Sequence, residues 1–229
     1  SLPQTWAVLC GLADPERAAR AMGAVWDRLV NPAERFVRLF TPPFDVGNPN
    51  PGYVAGYVPG IRENGGQYTH AATWVVPAFT GLRNGERAAE ALALMNPIHA
   101  AATPEGVARY KTEPYVLAGD VYDNPQHRGR GGWSWYTGSA GWYYRVALES
   151  VLGLELRGDR LSISPCIDPA WPGYSITLRY RSASYEIRVE NGGSGGEVRE
   201  LWLDEARVDG KEVGLTDDGR THSVRVILA

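Results

Sequence analysis

The pattern of apolar and polar positions changes period once along this chain. Over the first two thirds, apolar residues recur at three- and four-residue spacing, in blocks separated by long Gly/Pro-rich loops. That is the signature of amphipathic helices. Asp14-Pro15 supplies an N-cap followed by proline at the first helical position. Ala18, Met22, Val25, Trp26 and Leu29 then mark a buried stripe, and Asn31-Pro32 stops it. A second helix is predicted from an Asn84 cap, with Ala88, Ala91, Leu92 and Met95 buried and Asn96-Pro97 at its end. A third is predicted from a Ser139 cap to about Leu152, with Gly153 as the stop. Tyr68 to about Leu82 is apolar enough for a further buried helix, which Pro77 must kink or break.

In the last third the period falls to two. Ile176, Leu178 and Tyr180 alternate with polar residues, as do Tyr185, Ile187 and Val189. Val198 to Leu203 and His222 to Leu228 are further strand candidates. Asp209-Gly210 reads as a tight hairpin turn, and Asn191 to Gly196 as a flexible loop. The expected boundary lies near Leu154: residues 1–153 helical, residues 154–229 a small antiparallel β-sandwich. Two long stretches, Thr41 to Gly66 and Thr103 to Gly132, follow neither period. Compact domains seldom keep such loops without a use, so these are candidates to frame a site.

Composition narrows the function classes. The 229 residues are 44% hydrophobic, enough to bury a core, and the net charge of −3 arises from acids and bases mixed along the chain. No basic face is present for nucleic acid, so no nucleic-acid partner is expected. No window approaches the ~18 apolar residues of a membrane span. The segment SLPQTWAVLC lacks a charged n-region and a cleavage site, so no signal peptide is expected. Cys10 and Cys166 read as reduced thiols of a cytoplasmic protein rather than as a disulfide. Eight Trp and twelve Tyr stand against four Phe, a bias toward flat rings with a polar handle that suits sugar surfaces as well as a core.

Two glycine-rich segments carry candidate chemistry. The first, Pro59 to His70, sets Arg62, Glu63, Asn64, Gln67 and His70 among three glycines; it is either a ligand loop or a capped turn leading into the next helix. The second, Gly129 to Trp142, ends where a helix is expected to begin. There the free N–H groups of Gly138, Ser139 and Ala140, with the Thr137 hydroxyl, would cradle a phosphate; ordinary capping by Ser139 is the competing reading. Asp120 and Asp123 could form a carboxylate pair for acid/base work, or be solvated loop acids. His99 is read as structural, and His127 has no assigned partner. No His/Cys/carboxylate spacing suits a metal, and no nucleophile elbow is present.

Pro59 to Trp74, Glu113 to Tyr122 and Gly129 to Trp142 together resemble glycoside hydrolase family 94, as do Gln4-Thr5-Trp6-Ala7-Val8 and Leu39 to Asp45. That family includes cellobiose and chitobiose phosphorylases, oligoglucan phosphorylase and the C-terminal module of NdvB-type cyclic β-1,2-glucan synthases. Gly56 to Gly60 leans toward the glucan-synthase and oligoglucan branch. The resemblance implies the C-terminal part of an (α/α)6 barrel over residues 1–153, followed by a jelly-roll-like β-sandwich over residues 154–229. It implies an inverting β-glucan phosphorylase or glucan-synthase module in which inorganic phosphate is the co-substrate and no cofactor is needed. Phosphate replaces the base that an inverting hydrolase needs to activate water. His70, Thr137 and Gly138 match the family's phosphate-binding positions. Glu63 matches a sugar-contacting one, with Tyr68 and Trp135 as further sugar-binding candidates. The partners implied are a β-linked glucan or disaccharide, and inorganic phosphate or glucose 1-phosphate. The family's general acid is an aspartate in a segment before Gln4-Thr5-Trp6, so no catalytic residue is assigned within this chain, and the chain reads as a piece of a larger protein. An opened barrel would expose apolar faces, which implies contact with the rest of the parent, another chain or a second copy. The setting implied is cytoplasmic, with the parent attached to the inner membrane. The rival readings are a non-catalytic carbohydrate-binding module and a related inverting hydrolase.

Overall fold

The computed structural model describes residues 1–45, 50–135, 137–193 and 195–229. Residues 46–49 of the first long loop, Tyr136 of the second glycine-rich segment and Ser194 of the 191–196 loop lie outside the described residues. The chain is mixed α and β, helices first and small sheets after, and it divides into two units. One comprises residues 1–82 and 90–146, the other residues 83–89 and 147–229.

In the first unit, helix Pro15–Leu29 begins where the capping signal places it: the Asp14 side chain accepts the Arg17 N–H, and Ala18, Met22, Val25 and Leu29 are buried. Trp26 stays half-buried, with its ring edge-on to Phe79 at 5.5 Å. Helix Leu2–Leu9 packs against both Pro15–Leu29 and Val75–Gly81. Of the two outcomes expected for the apolar run, a kink or a break, the structure has the break: it forms two helices, Thr69–Thr73 and Val75–Gly81, divided at Trp74. Pro77 causes the break: it lacks the N–H that would reach the Thr73 carbonyl, and its ring crowds that carbonyl. Within the first turn of a new helix neither defect matters. The long loop after Thr103 contains a helix the periodicity did not reveal, Pro104–Tyr110, capped by the Thr103 hydroxyl on the Gly106 N–H. Its Tyr110 joins Phe36, Ala118 and Val121 in a buried cluster beneath the loops.

Helix Gly85–Met95 has Asn84 at its start, accepting the Arg87 N–H. Ala88, Ala91 and Met95 are buried as expected, but Leu94 takes the place read for Leu92, which is half-buried. The third predicted helix starts three residues early, at Thr137 rather than at Ala140 after a Ser139 cap, so Ser139 lies inside the first turn and is buried. Thr137–Arg145 is followed by a wider π-helical stretch, Val146–Val151, where the Leu152 N–H reaches the Ala147 carbonyl at 2.9 Å. Gly153 ends the run at φ 70°, as a C-terminal stop requires.

The second unit holds two small sheets. One has five strands in the spatial order Ala206–Val208, Val198–Leu203, Thr221–Leu228, Ala183–Glu190, Gly173–Tyr180. The other has three, in the order Glu212–Gly214, Arg160–Ile163, Leu154–Arg157. Alternation places the side chains as read: Tyr185, Ile187 and Val189 are buried, as are Val224, Val226 and Leu228. Two expectations are corrected. The five-stranded sheet is not wholly antiparallel, because Thr221–Leu228 runs parallel to Ala183–Glu190. Asp209-Gly210 closes no hairpin, because Ala206–Val208 and Glu212–Gly214 belong to different sheets and the turn carries the chain from one to the other. The two-residue hairpins are at Gly158-Asp159, Arg181-Ser182 and Asp204-Glu205, each with a left-handed first residue. Among the described residues no helix is long and apolar enough to cross a membrane.

His222 makes this unit's stability depend on pH. Its ring is 6% exposed and stacks on Tyr185 at 4.8 Å. Nδ1 lies 3.0 Å from Asp204 Oδ2 and Nε2 lies 3.1 Å from Asp218 Oδ1. Those two bonds, Asp204 first, raise the imidazole above its ordinary value of 6.5. The bond from His222 lowers Asp204, while the Arg220 N–H and guanidinium bring Asp218 down to about 2. The histidine's contribution is therefore complete below about pH 6.5 and is lost as pH rises through its raised pKa. The carboxylates' contribution is present above about pH 4 and is lost as pH falls through their lowered ones. The melting temperature is expected to decline from pH 6 to pH 8.5, and His222→Gln, which keeps a polar group but cannot gain a charge, is expected to flatten that decline. An equal slope in both proteins would discount the cluster.

Candidate functional site

Three segments of the first unit are knitted into one ribbon. Gln67–Tyr68 pairs antiparallel with Asp120–Val121, with Tyr68 opposite Asp120. Asp120 accepts the Gly132 N–H through its carbonyl at 2.9 Å, and the Tyr122 N–H reaches the Arg130 carbonyl at 2.9 Å. The Asp123 N–H meets the Gly60 carbonyl at 2.7 Å, so close an approach that a Cβ on Gly60 would sit 2.6 Å from the Asn124 nitrogen. Two amides of the first glycine-rich segment hold loops rather than ligands. Asn64 is bonded to both backbone groups of Phe44 and to the Tyr57 carbonyl. Gln67 accepts the Val37 N–H and donates to the Thr69 hydroxyl.

This ribbon delivers His70 to the start of the last helix. Helix Thr69–Thr73 packs against Thr137–Arg145, and a Cβ on Gly138 would lie 3.9 Å from His70 Nδ1. The His70 ring is held edge-on to Trp74 at 5.0 Å and tilted against Trp142 at 6.1 Å, and the two indoles meet at 5.6 Å. His70, Tyr68, Gly138, Ser139, Arg62, Gly119, Asp120 and Trp133 line one small cavity of about 60 Å³. Because the helix starts at Thr137, the backbone N–H groups of its first turn begin with those of Thr137 and Gly138, earlier than the sequence implied. Thr137 itself is exposed beside Gly138.

The other candidates are placed differently. Glu63 lies outside that lining, paired with Arg62 at 3.5 Å. Trp135 is 65% exposed with φ 62°, and its indole N–H donates to Glu113 Oε1 at 2.9 Å, which holds the Glu113 carboxyl below the usual range. Asp120 and Asp123 do not act as a pair. Asp123 is taken up by Arg38 and Arg128, whereas Asp120 is 1% exposed and faces the cavity. Arg62 and Trp133 in the lining had no role from sequence; the Arg62 guanidinium lies over the Trp133 ring at 4.6 Å. Trp74 as a neighbour of His70 was detectable from its i, i+4 spacing. His99 is exposed, with Nδ1 at 3.1 Å from the Ala93 carbonyl, and His127 is exposed in its loop. Among the described residues no group of three or more His, Cys, Asp or Glu could hold a metal ion.

The catalytic-domain model of the glycosyl hydrolase 94 superfamily matches residues 1–153. The chain belongs to that family. The C-terminal domain of glycosyl hydrolase family 65 matches residues 154–215, a relationship not read from the sequence. Among curated relatives, the cyclic beta-(1,2)-glucan synthase NdvB of Rhizobium meliloti (strain 1021) is 48% identical over 197 residues, 86% of this chain and 7% of that protein. N,N'-diacetylchitobiose phosphorylase of Vibrio proteolyticus is 33% identical over 226 residues, 98% of this chain and 28% of that enzyme. Solabiose phosphorylase of Paenibacillus borealis is 32% identical over 230 residues, 97% of this chain and 29% of that enzyme. The family 94 chain thus spans less than a third of these relatives' lengths.

Proposed function

We propose that this chain supplies the phosphate-binding surface and part of the sugar-binding surface of an inverting β-glucan phosphorylase, or of the equivalent module of a cyclic β-1,2-glucan synthase. The observation that carries the reading is the meeting of His70 with the helix start at Gly138 around one cavity. His70, the Thr137 hydroxyl and the N–H group of Gly138 hold phosphate there. A helix start of nine residues contributes both donors and a favourable dipole. Phosphate then attacks the anomeric carbon, the glycosidic C–O bond breaks as the new C–O bond forms, and the departing oxygen takes a proton from an acid that this chain does not supply. Glu63, Tyr68 and Trp135 are the sugar contacts in this reading. The helices of residues 1–153 then form part of an (α/α)6 barrel, completed by the rest of the parent protein, another chain or a second copy, and residues 154–229 form a jelly-roll-like sandwich. The setting proposed is the cytoplasm, with the parent held at the inner membrane.

The test uses the full-length polypeptide carrying this chain, incubated with β-1,2-glucan with and without inorganic phosphate. Glucose 1-phosphate is expected only when phosphate is present. Reducing sugar released by water alone would point to a hydrolase, and binding without turnover to a carbohydrate-binding module. The 229-residue polypeptide by itself is expected to release no glucose 1-phosphate, because leaving-group protonation commonly contributes ~10²–10⁴-fold. Robust turnover by it would transfer the acid role to one of its own carboxylates.

A further inference from the structure

Among the described residues, two buried polar atoms in the cavity lining have no hydrogen-bond partner in the protein, Arg62 Nε and Asp120 Oδ2, and of the two only the second is an acceptor, which a phosphate cradle does not explain. Asp120 is 1% exposed, and its two carboxylate oxygens are in unlike situations. Oδ1 accepts the Trp133 N–H at 2.9 Å. Oδ2 is buried and has no hydrogen-bond partner. The backbone of Asp120 is held on both edges by the Tyr68 pairing and the Gly132 N–H, and the Trp133 bond orients the carboxylate. The surrounding chain leaves little slack: a Cβ on Gly132 would come within 2.4 Å of Oδ1 and 2.7 Å of Oδ2. The guanidinium that shares the cavity, Arg62, is stacked on Trp133 and paired with Glu63. A buried acceptor held without a protein donor is costly, and it is completed by water or by a group that a ligand brings.

The chemistry of that ligand follows from the cavity's two sides. The helix start and His70 offer N–H donors, which suit an anion. An ionised carboxylate repels a phosphate and has no proton to give it, so Asp120 is complementary to a donor instead. The donors that a glycosyl substrate brings are its hydroxyl groups. We infer that Asp120 Oδ2 accepts a hydrogen bond from one ring hydroxyl of the glucosyl unit whose anomeric carbon faces the phosphate, and so sets which sugar the site accepts. This rests on the phosphate-cradle reading above. Burial holds the Asp120 carboxyl above the usual range, opposed by the Trp133 N–H and the Arg62 charge; a donated hydroxyl bond would favour the ionised form further. A site built to bond a hydroxyl rejects the analogue lacking it far more strongly than an apolar pocket does, because the acceptor is then left buried and bare.

The experiment uses the full-length polypeptide with α-glucose 1-phosphate and its 2-, 3-, 4- and 6-deoxy analogues as glycosyl donors, on wild type and Asp120→Asn. Wild type is expected to lose about thirty-fold or more in kcat/KM on one analogue. Asp120→Asn, which keeps an oxygen for the Trp133 N–H, is expected to lose about ten- to a hundred-fold on the parent donor and little further on that same analogue. Its KM for inorganic phosphate in the reverse direction should stay unchanged. The inference is overturned if no deoxy analogue is penalised in wild type. It is also overturned if Asp120→Asn matches wild type, or if the variant carries the full extra penalty on every analogue while melting at lower temperature, which is a structural role. Phosphate dependence in His70→Ala separates the two readings: if it is unchanged, the cradle fails, whereas a failed deoxy cycle with altered phosphate dependence removes only the role of Asp120. A wild-type enzyme with no phosphate-dependent turnover removes both.

Discussion

His70→Ala in the full-length polypeptide is expected to lower phosphate-dependent kcat/KM by about ten- to a hundred-fold, while sugar binding changes far less. An imidazole hydrogen bond to a phosphate is charge-assisted, and removing one costs roughly 1.5–3 kcal/mol. That loss converts to the stated range. The ring also packs between Trp74 and Trp142, so alanine leaves a gap there, and thermal melting must be followed alongside. Initial rates against phosphate concentration at saturating β-glucan separate the two effects: a binding role raises KM for phosphate, whereas a packing role lowers stability and all activities together. Thr137→Val is expected to act in the same direction but more mildly, since it deletes one hydroxyl and leaves the amide of Gly138 in place. An unchanged phosphate dependence in a folded His70→Ala protein would sink the assignment.

Gly153→Ala is expected to cost the second unit about 3 kcal/mol, which is roughly a 6–12 °C fall in melting temperature for a chain of this size. Two costs combine. Gly153 has φ 70°, a left-handed conformation that disfavours any Cβ by about 1–2 kcal/mol. In addition, the new Cβ would lie 2.2 Å from the Ser164 carbonyl carbon and 2.3 Å from the Pro165 nitrogen. Both are backbone atoms, and the Ser164 N–H is itself bonded to the Gly153 carbonyl at 2.8 Å, so neither can yield cheaply. Gly158→Ala is the control. It shares the left-handed conformation, at φ 63°, but its Cβ would meet nothing within 4 Å. If both variants lose the same amount, the close approach to Ser164 has no energetic weight.

Much of the local structure was legible because its signals are local. Asp14-Pro15 dictates a helix start through one capping oxygen and one fixed φ, and the structure begins a helix there. The alternation around Tyr185, Ile187 and Val189 dictates a strand with one buried face, and those three side chains are buried. The start of the last helix was misplaced because Ser139 has good capping chemistry, yet its hydroxyl is buried inside the first turn. Composition names the residues able to cap, but packing against Thr69–Thr73 decides which residue begins the helix. Helix Pro104–Tyr110 was missed because its seven residues are too few for a period to register.

By itself, then, the sequence determined that helices come first and strands after, and the chain's membership of its family. Each of these depends on the identity of residues at short spacing. Tertiary structure alone decided partnership. It set Thr221–Leu228 parallel to Ala183–Glu190, and used Asp209-Gly210 to change sheets rather than to close a hairpin. It also separated two aspartates only three positions apart, giving Asp123 to two arginines and leaving Asp120 buried beside His70 with one oxygen unmatched. The physical reason is common to all three. Strand pairing and carboxylate burial are settled by contacts between segments far apart in sequence, and the free energy of those contacts depends on the whole packed unit rather than on any window of the chain.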